Sequence, residues 1–336
     1  MKILHLLASP YDSGPAEAVV GLALAQRALG HDVSVAADVT RTHAPSEALL
    51  APRLDAEGLL DGGGLRLSVK SPPWELAADV ARLRRREVDV VHAHFSHDHL
   101  LAWLGRPRGA RLIRSLHAPR SLRRFMPPAE GWTVPYEALR ARLQGKQVAV
   151  LPAVAAPRFQ PAPDVASLRR SLGVEGAPVV GMVSTFKPSR RHELGLEAFA
   201  ELLRRVPAAR LLLVGDGALG PALRARVASL GLAGTVTFAG YQAGEAFVRW
   251  LQVMDEVWIL GLGNDWAGRA AAEARACGVR VLAVEEGDLP RWADVVVRPA
   301  ALDILAASVG GGRRHVEAAA APDVARAVLS LYEGKP

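Results

Sequence analysis

The chain reads as an α/β protein built twice over, with two doubly wound parallel sheets each flanked by helices. Three observations predict this. Short runs rich in Val, Leu and Ile alternate with helix-length segments along most of the sequence, the pattern of parallel βα units. The alternation restarts after a proline-rich stretch near the middle. At 336 residues, half of them hydrophobic, the chain exceeds one ordinary domain and can bury two cores.

The first half opens with a strand, Lys2 to Leu7, too short in its apolar core to be a signal peptide. A loop from Ser9 to Glu17 follows, then a helix from Ala16 to Leu29 stopped by Gly30, then a strand from Asp32 to Ala37. Gly14 therefore lies at the carboxyl end of strand one, where such sheets bind ligands. Leu65-Arg66-Leu67-Ser68-Val69 alternates like a strand. Trp74 to Glu87 has helical spacing, and its basic end, Arg84-Arg85-Arg86, suits a helix C-terminus. Strands follow from Val88 to His94, from Ala110 to His117 and from Val148 to Pro152.

Two features of this half invite chemistry. His92, His94, His97, Asp98 and His99 are metal-ligating types crowded into eight residues, with His92 and His94 on one face of a strand. Such clusters also occur without metals, and none is assigned here. Second, no acid stands between Leu100 and Ala129, while Arg114, Arg120, Arg123 and Arg124 do, among other arginines. A patch of one sign attracts anions, such as a phosphorylated or carboxylated acceptor or an anionic membrane surface. A solvated arginine-rich surface is the plainer alternative. No aromatic platform accompanies the charge, which argues against nucleic acid.

The segment Ala153 to Pro163 is proline-rich and marks a linker. The domains expected are 1–155 and 156–315, with a final segment 316–336 that carries a helix, Pro322 to Tyr332. The second half begins with a strand, Pro178 to Val183. A loop carrying Lys187, Arg190 and Arg191 comes next, then a helix from Glu193 to Arg205. Cations between a strand and a helix suit a diphosphate. The strand Ala209 to Val214 leads into Gly215-Asp216-Gly217-Ala218-Leu219-Gly220, formally a dinucleotide fingerprint. The following strand, Thr235 to Gly240, lacks the ribose-binding acid that completes it, so a nicotinamide dehydrogenase is a third-ranked function.

The densest stretch runs from Glu256 to Val284. A strand to Leu260 is followed by the turn Gly263-Asn264-Asp265, an alanine-rich helix from Gly268 to Cys277, a stop at Gly278 and a strand from Val279. The helix N-terminus suits a phosphate, and two carboxylates, Asp265 and Glu273, flank it.

This stretch resembles the signature of retaining glycosyltransferases of the large family 4, which adopt the GT-B fold of two Rossmann-like domains facing a cleft. The family pattern is an acid, two residues, Gly, four residues and Glu, then a helix ending in Gly and a Val-rich strand. Asp265, Gly268, Glu273 and Gly278 match it. The resemblance extends to the Asp89-Val90-Val91-His92-Ala93-His94 strand end, to His117 at the next strand end, to Gly215-Asp216-Gly217, to Phe238–Tyr241 and to Phe159 in the crossover. It departs at Pro15, at Thr185 where an Arg is usual, at Gly261-Leu262 where Pro-Ser is usual, and at Asp265 where Glu is usual.

The resemblance implies transfer of a sugar from a UDP- or GDP-sugar to an acceptor hydroxyl, with retention at the anomeric carbon. Polysaccharide or lipopolysaccharide assembly is the implied setting, and an anionic or lipid-linked glycan is the acceptor class. His117, Asp265 and Arg190 would be catalytic. Gly14, Lys187, Arg190, Gly215, Gly240, Gly268 and Glu273 would bind the donor, with Glu273 on the ribose. The C-terminal helix would return to the first domain, and no metal or other cofactor is expected. The single cysteine, Cys277, and the lack of a long apolar run suit the cytoplasm, and the arginine patch suits peripheral contact with an anionic membrane. The departures motivate an alternative: a glycosyltransferase-like protein that binds ligand with little or no catalysis.

Overall fold

Parallel strands buried on both faces need continuous apolar runs, and the chain supplies them. In the computed structural model, which describes residues 1–40, 49–68, 72–124, 126–263, 266–297 and 321–334, these runs assemble into two six-stranded parallel sheets. The chain divides into two compact units. One is Met1–Val154 together with the C-terminal helix, and the other begins at Ala155.

The first sheet contains β1 (Lys2–Leu7), β2 (Asp32–Ala37), β3 (Val90–Ala93), β4 (Arg111–Ser115), β5 (Gly131–Val134) and β6 (Val148–Val150), in the order β2-β1-β3-β4-β5-β6. Its helices are α1 (Gly14–Ala28), α2 (Leu50–Ala56), α3 (Pro73–Arg84), α4 (Ser96–Gly105), the short α5 (Glu137–Arg140) and the C-terminal helix (Ala321–Tyr332). Side chains alternate across a strand, so each face has its own core. On one face Ile3, Leu7, Val90 and Ile113 pack against Val19, Val20 and Ala23 of α1 and Val328 and Leu331 of the C-terminal helix. On the other, Leu4, Leu6, Val91 and Leu112 pack against Leu83 and Leu101.

The expected strand at Leu65–Val69 does not form, and Val69 lies outside the described residues. Leu65 and Leu67 are buried, which accounts for the alternation. However, Leu67 has a left-handed backbone (φ 51), and the amides of Arg66 and Leu67 donate to the Asp79 carboxylate instead of a neighbouring strand. The basic end after α3 is structural: Arg84 donates to the Leu104 carbonyl, and Arg86 pairs with Asp61.

The second sheet contains β7 (Val179–Val183), β8 (Arg210–Val214), β9 (Val236–Gly240), β10 (Glu256–Ile259), β11 (Arg280–Val284) and β12 (Val295–Val297), in the order β12-β11-β10-β7-β8-β9. Around it lie α6 (Val165–Ser171), α7 (His192–Arg205), α8 (Gly220–Ser229), α9 (Gly244–Gln252), α10 (Arg269–Ala276) and the single-turn α11 (Leu289–Trp292). Among the described residues no helix is long and apolar enough to cross a membrane. In a doubly wound sheet the carboxyl strand ends at the change of winding direction open a crevice. That point falls between β1 and β3 in the first unit and between β7 and β10 in the second.

Candidate active site

In the second unit, two groups suited to an anion meet at this crevice. After β7 the chain passes through Ser184–Lys187 and a 3-10 turn, Pro188–Arg190, before α7. Lys187 and Arg190 are half-buried there. The turn rests on the loop after β10: the Leu262 amide donates to the Ser189 carbonyl at 2.9 Å. A Cβ on Gly261 would sit 3.1 Å from Arg190 Cδ, so the arginine stem lies on a surface that only glycine leaves open. Just beyond, α10 begins at Arg269, and a helix N-terminus offers unpaired amides to an anion.

Gly268 caps α10 with φ 66, and a Cβ there would meet the Trp292 ring at 2.6 Å. Glu273 is 1% exposed, and Arg269 reaches it at 2.8 Å across one helical turn. A buried carboxylate held by a cation is fixed in direction, as a hydrogen-bond acceptor for hydroxyls requires. Asp265 lies outside the described residues.

Three residues that sequence reasoning passed over complete this corner. Glu286 accepts from the Gly263 amide, the Asp288 amide donates to the Trp266 carbonyl at 2.9 Å, and Trp266 packs over Gly287, which has φ 56. Burial pushes the Asp288 carboxyl up to about 6, against the opposing pull of Arg291. The available sequence signal was an acidic Glu285-Glu286-Gly287-Asp288 run directly after a buried strand.

Gly215 and Gly217 have a structural reason. At φ 148 and φ 153 they bring the end of β8 against the loop after β7, where a Cβ would lie 2.1 Å from the Ser184 carbonyl or 2.7 Å from that of Phe186. The Phe186 amide bonds the Asp216 carbonyl at 2.8 Å, and the Gly215 amide bonds that of Gly240 at 2.8 Å. The fingerprint spacing thus serves loop-to-loop packing. Gly240 ends β9 with φ 71 and open space beside it.

In the first unit Gly14 is the first residue of α1 at the end of β1. The acids flanking it are tied down: Arg53 of α2 bonds Asp12 at 2.8 Å and Glu17 at 2.5 Å. Beside it, the sheet carries four histidines in mutual contact. His5 Nδ1 meets His94 Nε2 at 3.0 Å, and His94 Nδ1 meets His117 Nε2 at 3.3 Å. His5 Nε2 meets Gln26 Oε1 at 2.8 Å. His92 bonds Tyr332 Oη and, at 2.8 Å, Ser115 Oγ. The His94 ring stacks on those of His5 and His92, with His92 and His94 centroids 4.4 Å apart. Burial pushes these imidazoles down, His5 to about 4 and His117 to about 3, so all are neutral at pH 7. His99, whose charge burial and Arg114 likewise oppose, faces Trp132, and His97 takes no part in the cluster.

Arg114 does not belong to a surface patch. It is 1% exposed on the opposite face of β4, where its charge and that of the buried Asp98 favour each other. Asp98 also accepts the amides of Ala8, His94 and Phe95. Arg106 is taken by Glu130. Acids just outside the acid-free window fold back onto it, while Arg120, Arg123 and Arg124 are exposed.

Comparison with known proteins accords with this architecture. The family model described as Glycosyltransferase Family 4 matches residues 13–157, and that of Glycosyl transferases group 1 matches residues 164–293. A D-inositol 3-phosphate glycosyltransferase of Actinosynnema mirum is 28% identical, over 86% of this chain and 79% of the relative. A GDP-mannose-dependent alpha-(1-6)-phosphatidylinositol monomannoside mannosyltransferase of Mycolicibacterium smegmatis is 34% identical over 41% of this chain and 38% of its own length. Among solved structures, Anabaena HepE in complex with UDP-glucose superposes with TM-score 0.71 at 19% identity, covering 98% of this chain and 94% of that one. Sucrose-phosphate synthase of Thermosynechococcus elongatus gives 0.68 at 18% identity, covering 99% and 94%. The fold is GT-B, the two halves match in order, and the chain belongs to the family 4 glycosyltransferases.

Proposed function

We propose that this glycosyltransferase moves a hexose from a UDP- or GDP-sugar to an acceptor hydroxyl with retention of configuration. The observation that carries the reading is the convergence, at the β7/β10 crevice, of the Lys187–Arg190 turn, the α10 N-terminus and the buried Glu273. The cations and the helix end neutralise the diphosphate as its bond to the sugar breaks, and Glu273 accepts from the ribose hydroxyls. Asp265 and His117 are the residues assigned to the sugar. This arrangement supplies the charge that a metal otherwise brings, so the transfer is metal-independent. Gly240, which ends β9 beside open space, offers the donor its backbone.

The acceptor is anionic or lipid-linked. The exposed Arg120, Arg123 and Arg124 favour such a molecule at an anionic membrane face, in glycolipid, polysaccharide or lipopolysaccharide assembly. Because several relatives are named for inositol 3-phosphate, that compound is the first acceptor to try. The test is incubation with UDP-, GDP- and ADP-sugars, following nucleotide release and thermal shift together. Stabilisation and turnover of one donor, both lost in Glu273→Ala, would identify it. A donor that binds the wild type and is not turned over with any acceptor tried would favour the binding-protein alternative.

A further inference from the structure

His5, His92 and His94 bring ligand-type nitrogens within 4.8 Å of one another. This spacing alone would suggest a metal. Yet both ring nitrogens of each of the three already face a protein partner, and the bonds form a directed series.

A neutral imidazole donates from one nitrogen and accepts at the other, so one fixed end sets the whole series. Gln26 provides that end. Its Nε2 donates to Tyr332 Oη at 3.2 Å, which leaves Oε1, an acceptor, facing His5. His5 therefore donates from Nε2 and accepts at Nδ1. His94 must donate from Nε2 to His5 and accept at Nδ1. His117 must then donate from Nε2 to His94, leaving its Nδ1 as a lone pair that no described residue engages. A second branch agrees in sense: Tyr332 donates to His92 Nδ1, His92 Nε2 donates to Ser115, and Ser115 meets Thr133 at 2.6 Å.

We propose that Gln26, His5 and His94 form a tautomer relay that holds His117 as the Nε2–H form, so that position 117 offers a ligand an acceptor only. Such a nitrogen receives a hydroxyl or amide N–H and turns away phosphate oxygens. Within the transferase reading, on which this last step rests, His117 is a sugar-hydroxyl receptor. Gln26, His5, His94 and Tyr332 are positioning residues acting through it, and Tyr332 makes the C-terminal helix part of the device. The buried, neutral state of the rings keeps the relay in one protonation state over the physiological range.

The test is nitrogen NMR of the full chain labelled in histidine, between pH 5.5 and 8. A protonated Nε2 and an unprotonated Nδ1 at His117, constant over that range, are expected. An Nδ1–H tautomer, an imidazolium midpoint inside the range, or stoichiometric zinc whose removal shifts the His5, His92 and His94 signals would overturn the relay. In Tyr332→Phe the Gln26 amide is no longer oriented, and the two His117 nitrogen shifts should move toward each other. Unchanged shifts would mean that local packing sets the tautomer. The wild-type spectrum decides the matter even where the variant fails to fold.

UDP-glucose and GDP-mannose are then added. Binding that moves the Nδ1 signal without protonating it supports the acceptor role, and binding that leaves it unmoved overturns that role. Absence of binding by either sugar nucleotide is a failure of the transferase reading, while the tautomer measurement by itself still decides whether the relay exists.

Discussion

The two sheets share a winding pattern but equip their strand ends in opposite ways. In the first unit the crevice is lined by neutral, buried rings bonded to one another, with the nearby charges locked into Arg53–Asp12–Glu17 and facing Asp98–Arg114. In the second it is lined by cations, a helix terminus, a paired carboxylate and backbone amides. A network of neutral hydrogen bonds fixes direction at little desolvation cost, which suits recognition of hydroxyls. A charged corner on rigid glycine turns suits a diphosphate, where charge must be met without rearrangement. One architecture thus carries two kinds of polarity, set by a handful of side chains.

The strongest break of this contrast would come from Glu273→Ala. It should cut donor-dependent nucleotide release about 100-fold or more, as misplacement of a substrate-holding group commonly does. It should also deprive Arg269 of its carboxylate, with thermal stability changing far less than activity. An equal loss of folding and activity would make Glu273 a core residue only.

Gly215→Ala should be the most damaging glycine change. The added Cβ meets the Ser184 carbonyl, a backbone atom that cannot swing away, and strain with overpacking should destabilise by about 2–4 kcal/mol in denaturant titration. Gly14→Ala, by contrast, falls at an ordinary helical position at the start of α1 and should change stability by about 0.5 kcal/mol or less, in the stabilising direction.

The buried rings predict a pH dependence of stability. Their folded pKa values lie below the unfolded value near 6.5, so the unfolded chain binds more protons as pH falls. Stability should be complete above about pH 6.5 and decline toward pH 4, with His5 alone removing about 1.4 kcal/mol per pH unit through that window. Equilibrium unfolding at pH 7, 6 and 5 checks it, and a flat profile would mean that the rings are hydrated. The smallest effect on folding belongs to the triple change of Arg120, Arg123 and Arg124 to Ala. Stability should move by about 0.5 kcal/mol at most, while sedimentation with anionic vesicles should fall several-fold. Unchanged sedimentation would remove the membrane-facing role.

Most of the strands and the larger helices were legible because local spacing and apolar runs suffice to place them, as in β1, α1, β7, α7 and β11. The strand expected at Leu65–Val69 failed because alternation reports burial and not hydrogen bonding. Asp79, more than ten residues away, captured the amides that a strand needs. The arginine cluster was misjudged at Arg114 for the same kind of reason, since only the packing of α4 against β4 turns Arg114 inward toward its electrostatic partner, Asp98. The Gly215–Gly220 spacing was visible, but whether it served a nucleotide or a neighbouring loop depended on Ser184 and Phe186.

By itself the sequence determined the alternating strand and helix order, the restart after the proline-rich linker, the glycine-marked helix start with Glu273 on it, and the period-two placement that sets His92 and His94 on one strand face. These follow from backbone geometry over a few residues. Only the tertiary structure decided that His5 and Gln26, from the first strand and helix, and Tyr332, from the last helix, close around those histidines. It alone brought Glu286 and Asp288 to the start of α10. Contacts between distant residues are set by which faces bury together, and burial then decides which side chains lose their charge.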